Sequence, residues 1–200
     1  MRKELRMYGL VPYNISPIQQ GIQFGHAVVE YGQMVKKLGE HFVSFNKQYD
    51  DWADNWKTFI ILNGGTSNHS VNRYQPEEEF VGSMESNLLS LKEMGIPVAE
   101  FYEPDLNDML SSVVFIVDEQ VFNKKDYPDF EDWVIDNYGD LLRPDPNNYE
   151  TFGKGIYQLA SMIKYSDSPG DKKIYQKWVD LVGGEKNVFL RNFLKPLKLA

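Results

Sequence analysis

The sequence predicts an α/β fold, a three-layer α-β-α arrangement with a small mixed four-stranded sheet over residues 1–120, followed by an all-helical extension over 121–200. Three observations carry this. Short runs of β-forming residues alternate with amphipathic, helix-length segments as far as Asp118, in the order β-α-β-α-β-β. Beyond Asp118 only helical patterns remain, broken by Pro and Gly. A composition 42% apolar and 14% aromatic over 200 residues is enough to bury a core.

Met7–Tyr13 (MYGLVPY) reads as the first strand. Ser16 is a good helix N-cap, Pro17 suits the first helical position, and Gln19 completes an S-x-x-Q capping box. The helix runs to about Leu38, and Ile18, Ile22, Gly25, Val29 and Val35 at helical spacing mark its expected buried face. Lys57–Asn63 is a buried strand, and Gly64-Gly65 starts a turn or loop that continues through Asn72–Gln75. Pro76 and three glutamates open a second helix, since carboxylates favour a helix N-terminus. That helix carries Phe80, Met84, Leu88, Leu91 and Met94 and stops at Gly95. Pro97–Tyr102 and Ser112–Val117 are the third and fourth strands, joined by an acidic loop from Glu103 to Asp108. A polar linker over Phe122–Asp129 leads to helical patterns at about 129–142, 148–165, 171–182 and 185–195, with breaks at Pro144/Pro146, Ser168-Pro169-Gly170 and Gly183-Gly184.

The absence of cysteine excludes disulfides, thiolate metal sites and a cysteine nucleophile, and fits a reducing compartment. No apolar run is long enough for a membrane span, and the N-terminal segment has no secretory pattern, so the expected location is the cytoplasm. The net charge of −8 argues against generic nucleic-acid binding, because neutralising phosphates needs clustered cations. The charge is uneven: residues 1–118 hold 9 Lys/Arg against 16 Asp/Glu, whereas residues 151–200 hold 9 against 4. A polyanion such as RNA would therefore favour the C-terminal helices, whose charges otherwise serve as ordinary solvated faces.

Two groups of residues have the makings of a site. Gln19, Gln23, His26 and Glu30 recur at intervals of four, three and four, so they share one helical face beyond the first strand's C-terminal end, where open sheets bind ligands. The alternative is a solvated stripe edged by a packed histidine. Glu103, Asp105, Asp108 and Ser111 form the second group, in which neighbouring carboxylates can raise one another's pKa for acid–base work. The alternative there is a plain turn. His26, His41 and His69 have no metal-ligand spacing, and no phosphate-loop or nucleophile-elbow motif is present, so no metal or cofactor is expected.

Taken together, the helix opening Ser16-Pro17-Ile18-Gln19-Gln20-Gly21-Ile22-Gln23-Phe24-Gly25-His26-Ala27 and the segment Leu89–Val117 resemble the type II peptidyl-tRNA hydrolases, in a divergent bacterial and phage-encoded branch. The resemblance spans about residues 6–118 and leaves the helical extension unassigned. It implies hydrolysis of the ester joining a peptide to the 3′ ribose of tRNA. It implies catalytic roles for Gln19, Gln23, His26, Asp105 and Ser111, with Glu103 an alternative to Asp105 and Asn107 an alternative to Ser111. Gln19 takes the place of the family's lysine, replacing a charge-assisted donor with a neutral one about half as strong. Two functions remain in view: a hydrolase with water as nucleophile, its tRNA held by the C-terminal basic helices, and a binding module for RNA, a nucleotide or a protein partner. The oligomeric state is left open.

Overall fold

The computed structural model describes residues 2–38, 43–67, 82–142 and 154–200. The expected loop over Asn72–Gln75, the helix start at Pro76 with its glutamates, Phe80, His41, His69 and Pro144/Pro146 lie outside them.

The chain forms two units, Met1–Glu119 with Asn192–Ala200, and Gln120–Arg191. In the first, strands β1 (Leu5–Pro12), β2 (Thr58–Gly65), β3 (Ala99–Glu103) and β4 (Met109–Asp118) make one mixed sheet in the order β2-β1-β4-β3. β1 pairs parallel to β2 and antiparallel to β4, and β3 pairs antiparallel to β4. The three-layer expectation is met by helix α1 (Pro17–Leu38) on one face and α3 (Ser83–Glu93) on the other.

Period-two alternation on β1 and β4 explains the two-sided burial. Leu5, Met7, Val11, Val114 and Ile116 join Phe24, Ala27, Tyr31 and Val35 of α1 in one core cluster. Gly9 permits the contact, because a Cβ there would overlap the Phe24 ring. On the other face Tyr8 stacks on Phe115, and Met84 meets Leu10 where a Cβ at Gly64 would intrude. Gly64-Gly65 thus belongs to β2 rather than to a turn.

The buried face of α1 differs from the expected one. Phe24, Ala27, Tyr31 and Val35 are buried, while Ile18, Ile22 and Val29 are exposed. Both sets have helical spacing, and the bulkier aromatic set takes the sheet. A helix α2 (Val43–Asp51), continued by a π-helical turn over Trp52–Trp56, lies between α1 and β2, where the sequence reading placed no element. Trp52 there is buried, with its indole N–H donating to Thr58 O.

The second unit holds the end of the short helix α4 (Glu119–Phe122), then α5 (Phe130–Tyr138), α6 (Ile156–Lys164), α7 (Pro169–Leu181) and most of α8 (Glu185–Leu194), and among its described residues is all-helical. α6 and α7 are separated as expected near Ser168-Pro169-Gly170, with Pro169 in the first turn of α7, where a proline is tolerated because that N–H has no intrahelical partner. Phe130, Val134, Leu159, Trp178, Val179 and Val188 form its core. Arg191 is buried, donating to Gln120 O, Tyr127 O and Asp129 Oδ1.

The last nine residues return to the first unit, although the sequence reading assigns all of 121–200 to the extension. Leu199 bridges antiparallel to Leu62, Asn63 N donates to Lys198 O, and Ala200 N donates to Ile61 O, so this segment covers the β2 edge.

Candidate functional site

The parallel strands β1, β2 and β3 all end on the side where α1 begins and β4 starts, and there the first unit assembles its buried polar cluster. β4 carries an irregularity between its pairings with Phe101 and Tyr102, which leaves Ser111 as the extra residue. The Ser111 hydroxyl is 0% exposed and donates to Gln23 Oε1 at 2.8 Å, sharing its proton with Phe101 O at 3.1 Å. Gln23, 6% exposed, donates from Nε2 to Glu103 Oε2 at 2.6 Å. The serine proton therefore sets which way the glutamine amide points, and the amide in turn fixes a half-buried carboxylate.

The loop after Glu103 is a short 3-10 turn over Pro104–Leu106, whose Asp105 N–H donates to Glu103 Oε1 at 3.4 Å. Asn107 and Asp108 follow with φ of 60° and 54°, the left-handed region that Asn and Asp tolerate better than other side chains. Asn107 is thereby accounted for as a turn residue.

The predicted residues divide accordingly. Gln23 and Ser111 are joined directly. His26 is on the same helix, exposed, with its ring 4.6 Å from that of Phe101, one strand pair from Ser111. Asp105 is exposed on the turn beside Glu103. Gln19 is engaged as a cap: its Oε1 accepts from Ser16 N, and its own N–H donates to Ser16 Oγ. The capping motif read in the sequence thus uses the side chain that the resemblance assigns to chemistry. Glu103 was the alternative in the acidic loop, and its place at the end of β3 is what brings it, rather than Asp105, within reach of Gln23.

The arrangement offers an oriented carboxylate beside a second, exposed one, and no cation within the hydrogen-bonded cluster. Ser111 is spent as a donor and enclosed, so it is not a nucleophile. No three His, Asp or Glu among the described residues are grouped to hold a metal. A separate cavity of about 390 Å³ opens by Asn63, Gly64, Gly65, Ser83, Asn87 and Lys198, and none of the residues expected to be catalytic lines it. Its amides are committed to the fold, Asn63 accepting from Gly65 N and Asn87 donating to Gly64 O. No helix among the described residues is long and apolar enough to cross a membrane.

Comparison with protein-family models and with curated proteins returns no match for this chain.

Proposed function

We infer that this protein is a peptidyl-tRNA-hydrolase-like enzyme that uses water to cleave the ester between a peptide, or an N-blocked amino acid, and tRNA. The observation that carries the reading is the Ser111–Gln23–Glu103 relay, a buried serine and amide that orient a carboxylate beyond the strand ends. A water held by Glu103, with Asp105 alongside, gives up a proton to a carboxylate as its oxygen bonds to the carbonyl carbon. The ester C–O bond then breaks and the proton passes to the 3′ oxygen of the ribose. His26 lines the approach on the same helix. The cytoplasm is the compartment this substrate implies, and the C-terminal helices, where residues 151–200 hold 9 Lys/Arg against 4 Asp/Glu, are the part of the chain suited to tRNA.

A second reading is a binding module of the same fold. One observation favours it: Gln19, at the family's lysine position, is neutral and already bonded to Ser16, so no charged donor faces a developing oxyanion.

The test is release of N-acetyl amino acid from N-acetyl-aminoacyl-tRNA by the full chain. Glu103→Gln keeps an acceptor for the Gln23 amide but removes the base, and a loss of about 100-fold or more is expected. Asp105→Asn separates the two carboxylates' roles. Turnover unaffected by both changes overturns the assignment, and tRNA binding without turnover selects the second reading.

A further inference from the structure

Along the first four turns of α1, one face stays exposed, with no described residue of its own unit covering it. Ile18, Ile22 and Val29 are 78%, 50% and 61% exposed, and their spacing of four and seven places them on one stripe. Gly21 and Gly25 adjoin that stripe, and a Cβ built at either meets nothing within 4 Å. The helix therefore carries protruding aliphatic side chains and open hollows on the same surface. That combination is self-complementary, which is what an isologous contact across a two-fold axis needs. Between Pro17 and Gly25 there is no ionisable residue, so two such faces meet without like charges opposed.

Charge fixes the direction. Glu103 bonds to Gln23, and the Phe101 ring packs at a tilt against His26, so β3 runs opposite to α1 and its acidic loop, with Asp105 and Asp108, lies toward the helix start. Lys36 and Lys37 are exposed in the last turn. Antiparallel helices set the lysines of each copy toward the acidic end of the other, whereas parallel helices align like with like.

The geometry points to α1 as the docking surface for a second copy of this chain, the two α1 helices crossing antiparallel with Ile22 of one copy against Gly25 of the other. The hydrolase reading plays no part in this, and the stripe is separate from the helix face that carries Gln23.

Analytical ultracentrifugation over a dilution series, with single-cysteine cross-linking, tests it. The chain has no cysteine of its own, so each introduced thiol reports alone. Wild type is expected to show a concentration-dependent dimer, and Ile22→Asp, on an exposed position, a monomer whose melting temperature equals that of wild type at dilutions where wild type is monomeric. With a bismaleimide of roughly 10 Å, about one helix diameter, Ile22→Cys is expected to cross-link. Ile18→Cys is expected not to, since eleven residues at 1.5 Å rise separate it from its mate by roughly 16 Å along the axis. A wild type that stays monomeric at the highest concentration overturns the proposal. So does a dimer that survives Ile22→Asp, or equal cross-linking at both positions, which indicates parallel helices.

Discussion

Ser111 and Gln23 tie two distant parts of the chain together through one proton, and that gives their substitution a defined signature. Gln23→Glu places a carboxylate against Glu103, and two carboxylates in one site raise at least one pKa above its unfolded value. The variant is then destabilised where both ionise and recovers as one takes a proton. Its melting temperature relative to wild type should rise from pH 7 to pH 5, and a gap independent of pH sinks the argument. Ser112, fully buried beside Ser111, has a hydroxyl with no hydrogen-bond partner among the described residues. Ser112→Ala removes an uncompensated group and is expected to leave stability unchanged or raise it by about 1 kcal/mol in denaturant titration. Asp129 of the helical unit has the opposite pH sign from the Gln23→Glu variant. Burial opposes its ionisation, but the hydrogen bonds and charges of Lys124 and Arg191 outweigh this and hold its carboxyl below the usual range. Its stabilisation is present above the ordinary carboxylate pKa of about 3.9 and fades as pH falls through the lowered value. Asp129→Asn should flatten that part of the acid limb in a helix-monitored titration. At this scale the sequence was legible where spacing constrains it. Gln23 and His26 share a helix whatever the tertiary fold, but the choice between Glu103 and Asp105 rests on a turn of three residues and a strand irregularity that no period encodes.

Helix α1 is where periodicity reached its limit. Its start was readable because Ser16, Pro17 and Gln19 each satisfy a local geometric need, and the bonds between Ser16 and Gln19 are present. Its buried face was not, since two apolar stripes with the same spacing run along it and only the sheet chooses between them. The Gly9 hollow selects Phe24. Three substitutions measure the difference by thermal or chemical denaturation. Phe24→Ala is expected to cost about 3–5 kcal/mol. Ser16→Ala should cost about 1 kcal/mol through the lost cap. Ile22→Ala, on the exposed stripe, should stay within about 0.5 kcal/mol at a dilution where the chain is monomeric. Equal costs for Phe24 and Ile22 contradict the orientation described. Helix α2 escaped notice for a related reason: Tyr49 and Trp52 pack their rings against neighbours, and aromatic residues with weak helix propensity hide the pattern that burial reveals.

At the scale of the molecule, the order of the four strands and of the two helices that cover the sheet, and the change to helices after Asp118, were written in the alternation of apolar runs, whereas α2 and the return of the last nine residues were not. The segment that covers β2 pairs through a single bridge and two hydrogen bonds, too short for any strand pattern. Its consequence is that the first unit draws on both ends of the described chain, with Phe193 packed edge-on against Phe115 at 6.2 Å. Removing Asn192–Ala200 is expected to lower the melting transition of the α/β unit while the helical unit, which keeps its own core, melts as before. Amide exchange gives the finer reading. Successive N–H groups of a strand point to opposite edges, and that of Asn63 points to Lys198, so its protection should be lost on truncation. The β2 amides directed at β1 should keep theirs, because the parallel ladder from Arg6–Thr58 to Val11–Asn63 is untouched. Protection lost along the whole of β2 means that the tail holds the strand in place rather than covering its edge, and protection retained at Asn63 means that the tail does not pair there in solution.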